Sequence, residues 1–117
     1  NKDIKNAANI DFVENFRKTY GRFPSLYASQ GFDTALLLDS AIRAVEGDMS
    51  KQDAFRTALK SANFQSVRGP FKFGQNHHPI QDIYVREVHK DGDNITNKIV
   101  GKVFTNHGDI YAADCKM

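Results

Sequence analysis

Phe23-Pro24-Ser25-Leu26-Tyr27-Ala28-Ser29-Gln30-Gly31-Phe32-Asp33-Thr34-Ala35-Leu36-Leu37-Leu38-Asp39-Ser40-Ala41-Ile42 is the stretch that decides the fold. It opens extended, because Pro24 fixes its own φ and disfavours helical backbone at Phe23. It then becomes the most apolar helix of the chain, expected from about Gln30 to Val45. Phe32, Ala35, Leu36, Leu38, Ile42 and Val45 give that helix a broad apolar face, widened by Leu37 and Ala41. Such a helix is covered on more than one side, against a sheet or between neighbours. Tyr27, Ser29, Gln30 and Phe32 fall where the extended chain is expected to turn into helix. Aromatic faces and small polar groups beside a helix N-terminus suit a pocket for a small polar ligand. The same residues also fit an ordinary loop-to-helix junction whose aromatics are core.

Upstream, residues 1 to 8 are polar and expected to fray in part. A first helix is expected from Asn9 as N-cap, with Phe12, Val13, Phe16 and Tyr20 as its buried stripe and Gly21 at its end. Downstream, Gly47 stops the long helix, and Ser50 with Asp53 resembles a capping box for a third, short helix from Lys51 to Lys60. Beyond Phe64 the period changes. Arg68-Gly69-Pro70 marks a turn, and Phe71 alternates with Phe73 as an edge strand. A strand over Ile80–Val88 places Ile83 and Val85 on one face and Tyr84, Arg86 and Val88 on the other. Lys90-Asp91-Gly92-Asp93-Asn94 is a hairpin turn, and Ile95–Phe104 returns. One more short strand is expected around Ile110-Tyr111.

The 117 residues make one domain or a piece of one, and 40% hydrophobic residues suffice for a modest core. Sixteen basic and 14 acidic residues are interleaved, so no basic run points to nucleic acid. No apolar stretch has the length of a membrane span. The chain opens on Asn1 without a methionine or signal peptide, and it reads as a fragment. Cys115 has no second cysteine in the chain; a partner elsewhere and a free terminal thiol are both open. His77 and His78 lie far from His89 and His107, and no metal or other cofactor is expected. No nucleophile elbow, phosphate loop or acid pair at diagnostic spacing argues for an enzyme.

Four segments in order resemble the C-terminal part of type I periplasmic solute-binding proteins, the leucine/isoleucine/valine-binding-protein-like class of ABC importers. They are Phe12-Val13-Glu14-Asn15-Phe16-Arg17-Lys18-Thr19-Tyr20-Gly21-Arg22-Phe23-Pro24, and Tyr27-Ala28-Ser29-Gln30-Gly31-Phe32-Asp33-Thr34-Ala35 with Phe32 replacing the usual tyrosine. The others are Phe64-Gln65-Ser66-Val67-Arg68-Gly69-Pro70-Phe71-Lys72-Phe73 and the strand from Asn76 to Val88. Together the matches span about residues 9 to 104.

The resemblance implies an α/β chain, a partial type I periplasmic-binding-protein fold of three helices followed by a β-hairpin region. About 9–24 would end one lobe, about 28–75 belong to the other, and about 80–117 return across the hinge. It further implies an exported, periplasmic protein that captures a small amino acid or related carboxylate in an interlobe cleft and delivers it to a membrane permease. Tyr27 would offer its ring or hydroxyl to the ligand, Ser29 and Gln30 polar contacts, and Phe32 packing with partial pocket exposure. Aromatic carboxylates and aliphatic amino acids stand equal as ligands. The missing parallel sheet would leave the long helix with an apolar patch, so the fragment is expected to self-associate. A ligand-sensing domain of the same fold and a small stand-alone interaction domain are the competing readings.

Overall fold

The computed structural model describes residues 1–116. Three helices, α1 (Ala7–Tyr20), α2 (Leu26–Ala44) and α3 (Gln52–Ser61), precede strands β1 (Phe71–Phe73), β2 (Pro79–Asp91) and β3 (Asn94–His107). The strands form one antiparallel sheet in the order β1-β2-β3. The α/β class and the order of three helices before a hairpin are as the sequence implies.

Helix α1 starts earlier than its expected cap. Asn6, in extended backbone, accepts the Asn9 amide at 2.8 Å and is the true N-cap. Asn9 is instead fully buried, its side-chain amide donating to the Asn1 and Ile4 carbonyls at 2.6 and 2.8 Å. Those bonds tie down the leading residues, which the sequence reading left to fray. Asn1 also donates to the Asn97 carbonyl at 2.7 Å, and Asp3 accepts the Ile99 amide at 2.8 Å. The leading segment thus covers part of the open edge of β3. At the other end Gly21 has φ 66° and donates to the Arg17 carbonyl, the left-handed stop that the sequence predicts.

Helix α2 also begins earlier, at Leu26 rather than Gln30, because Ser25 accepts the Ala28 amide and caps it. Tyr27, Ser29, Gln30 and Phe32 are therefore helical residues on different faces, not members of a junction. Its end is a Schellman motif: Gly47 donates to Ile42 and Glu46 to Arg43, both at 3.0 Å. Glu46, at φ 55°, occupies the left-handed position that usually goes to glycine. The capping box before α3 does not form. Asp48 captures both the amide and the hydroxyl of Ser50, and α3 starts after Lys51 with no side-chain cap.

Phe12, Val13 and Val67 make the central core, with Ala8, Phe16, Phe23 and Ala28 packed on it. Ala41 and Val45 are buried where α2 meets α3. The outer side of α2 stays open, with Phe32, Leu38 and Ile42 each about 40% exposed. The β2–β3 hairpin closes on Gly92 at φ 59°, with Asp91 opposite Asn94. Register shifts fall between Gln81 and Ile83, Ile83 and Tyr84, and Val85 and Arg86. Strict alternation therefore fails, and Ile83, Tyr84 and Arg86 line one groove instead of opposite faces. After β3, the Tyr111 amide donates to Asp109 and a 3-10 turn follows at Ala112–Asp114, so no strand forms at Ile110-Tyr111.

Candidate functional site

The first turn of α2, the leading segment and the sheet enclose a groove of about 510 Å³. Phe23, Pro24, Ser25 and Leu26 form one wall, Asp82, Ile83, Tyr84 and Arg86 the opposite one, and Ile4 and Ile95 lie along it. Ser29, Gln30 and Arg68 reach it from the helix side. The groove thus mixes apolar walls with hydroxyl, amide and guanidinium groups, the composition of a site for a small molecule with one polar end.

Of the four residues nominated from the sequence, Ser29 and Gln30 line this groove together. Ser29 is 4% exposed, and its hydroxyl donates to the Ser25 carbonyl at 3.2 Å. Phe32 lies elsewhere, against Phe12 at 4.7 Å between ring centres, over a second, apolar groove between α1 and α2. Tyr27 is 80% exposed and lines neither groove.

Two carboxylates that the sequence reading did not single out hold the groove in shape. Asp33 is 3% exposed and accepts the Ser66 hydroxyl at 2.6 Å, the Val67 amide at 2.9 Å and the Arg68 guanidinium at 2.7 Å. This clamp fixes α2 to the turn before β1 and aims Arg68, whose guanidinium also lies 5.2 Å from the Phe71 ring centre. Asp82 accepts the Asn106 amide at 3.0 Å, the Tyr84 hydroxyl at 3.3 Å and the Lys102 ammonium. The Lys102 ammonium, then the Asn106 amide, hold the Asp82 carboxyl below its usual range. In turn Asp82 raises the Lys102 ammonium. Burial and then the Asp82 charge push the Tyr84 phenol up. A signal for Asp33 was present: it is an acid within the apolar half of a helix, and such a group needs buried donors.

Cys115 carries an exposed free thiol. Among the described residues no cluster of three acids, histidines or cysteines could hold a metal ion, and no helix is long and apolar enough to cross a membrane.

A family described as periplasmic binding protein matches residues 1–93. The crystal structure of an ABC transporter solute-binding protein from R. palustris, in complex with benzoate, superposes with a TM-score of 0.84 at 37% identity. The overlap covers 99% of this chain and 31% of that one, so the chain spans under a third of that protein's length. Both matches are to binding proteins. No curated protein matches the sequence.

Proposed function

The chain belongs to the periplasmic binding protein family, and we propose that it forms part of the solute-binding component of an ABC importer. That component captures a small carboxylate and delivers it, outside the cytoplasmic membrane, to a permease. The groove between the start of α2 and β2 is this chain's share of the ligand cleft, with Ser29 and Gln30 as polar contacts. Tyr27, 80% exposed, and Phe32, over the second groove between α1 and α2, lie outside this groove and make none of its contacts. The β2–β3 hairpin returns across the hinge, and lobe closure is the working motion.

One observation carries the reading: 37% identity across 99% of the chain to a solute-binding protein holding benzoate. It favours an aromatic carboxylate over a branched-chain amino acid as the first ligand to try. The open apolar side of α2 supports self-association of the 117-residue chain when it is expressed alone.

The test is calorimetric titration of the full-length gene product with benzoate and with leucine. Saturable binding of either, with ligand-dependent thermal stabilisation, supports the reading. A full-length protein that binds neither these nor any other small carboxylate contradicts it.

A further inference from the structure

Four charged side chains line the groove, and three of them are already neutralised. Lys2 pairs with Asp91, Arg68 with Asp33 at 2.7 Å, and Asp82 with Lys102. Arg86 is the exception: among the described residues no acidic side chain lies within salt-bridge distance of it, and its guanidinium makes no hydrogen bond. Arg86 is therefore the one lining side chain with an uncompensated charge, and in this chain the Asn1 ammonium adds a second positive group near it. The groove offers no uncommitted carboxylate, because Asp82 is occupied by an ammonium, an amide and a phenol.

We propose that Arg86 is the specificity-determining residue of the groove, binding the carboxylate of a monoanionic ligand that has an apolar body and no ammonium group. The inference rests on the reading of this groove as the ligand site. A guanidinium presents a planar fork that matches a carboxylate in two parallel hydrogen bonds. Arg86 lies two residues beyond Tyr84 on β2, so pleating keeps both on the groove wall, and the register shift between Ile83 and Tyr84 brings Ile83 to the same groove. Ile4, Phe23, Leu26, Ile83 and Ile95 supply the apolar surface for the rest of the ligand. A zwitterionic amino acid would bring an ammonium group into a groove whose net charge is already positive and whose acid is taken. Like-charge repulsion and the unmatched desolvation of the ammonium select against it.

The experiment uses the full-length protein, with calorimetric titrations of benzoate, hexanoate, the neutral isostere benzamide, and leucine. Wild-type protein binds at least one of the two simple acids more tightly than leucine, and benzamide more weakly than benzoate. Arg86→Met weakens acid binding by about 10- to 100-fold, the range for losing a charge-assisted pair. It leaves the ligand-free unfolding midpoint in place, because Arg86 is exposed and has no partner to lose. Arg86→Lys restores part of the affinity. Equal acid affinity in wild type and Arg86→Met overturns the assignment of Arg86. Wild-type preference for leucine over both acids overturns the ligand class and keeps the binding-protein reading. A wild-type protein that binds none of the four overturns both.

Discussion

Asp33 and Asp82 make the same kind of contact in two different places. Each carboxylate accepts one backbone amide, one hydroxyl and one cation: Val67, Ser66 and Arg68 for Asp33, and Asn106, Tyr84 and Lys102 for Asp82. The Asp33 partners are consecutive in sequence and include Val67, which is fully buried in the core. The Asp82 partners sit on a hairpin whose apolar residues are largely open, with Val88 72% and Val103 52% exposed. Identical chemistry therefore has different consequences. In the helical body the clamp determines where α2 lies, and the surrounding apolar contacts make its loss expensive. On the hairpin the Asp82 side chain is just as enclosed, at 4% exposure, but its cation partner Lys102 is 43% exposed against 21% for Arg68, so solvent can stand in for the cation only.

The sharpest way to break the comparison is Asp33→Ala. It leaves an arginine, a hydroxyl and an amide without an acceptor in the interior, and we expect a loss of about 3–5 kcal/mol in urea unfolding. A loss below about 1 kcal/mol would show that water or Ser66 repairs the site. Asp82→Asn keeps volume and some hydrogen bonding, and it should shift the unfolding midpoint less than Asp33→Ala does. A double-mutant cycle with Lys102→Met apportions the pair. An Asp82 effect equal to that of Asp33 would erase the distinction.

The hairpin node also has a pH signature. The Asp82 carboxyl is depressed, so its stabilisation is present above the ordinary carboxylate pKa and is lost as pH falls through the lower folded value. Lys102 is raised, so its contribution is present below the ordinary lysine pKa and is lost as pH rises through the higher folded value. Stability should therefore fall at both extremes. Asp82→Asn should reduce the acid-side loss, as measured by thermal unfolding across pH. The smallest effect expected is at the end of α2. Glu46→Gly removes a side chain from the left-handed position and should stabilise by about 0.5–1 kcal/mol. No change in midpoint would mean that glycine's unfolded-state entropy offsets the relief.

Local patterns with a single physical outcome were legible. Gly21 ends α1 and Gly92 closes the hairpin because few residues accept positive φ, whereas at the end of α2 the left-handed position falls to Glu46, one residue before Gly47. The breadth of the apolar face of α2 called for cover on more than one side, yet Phe32, Leu38 and Ile42 are each about 40% exposed, the patch expected where the parallel sheet is missing. Choices between equivalent groups were not legible. Asn6 and Asn9 both suit a cap, and tertiary demand for an amide at the Asn1 and Ile4 carbonyls decided between them. A start for α2 near Gln30 was expected, but Ser25 supplies a cap and the helix begins at Leu26. Of the four residues nominated from the sequence, Ser29 and Gln30 line the groove, and Tyr27 and Phe32 do not. Alternation puts Tyr84 and Arg86 on one face but not in this groove; Arg68 joins through the Asp33 clamp and Ile83 through a register shift, which alternation cannot foresee.

The most direct test of the account is a crystal structure of the full-length protein with benzoate bound. The expected result is a carboxylate within about 3.5 Å of groove-lining donors between the start of α2 and β2. A ligand seated elsewhere in the protein, with that groove filled by its own side chains, would contradict the assignment of the site.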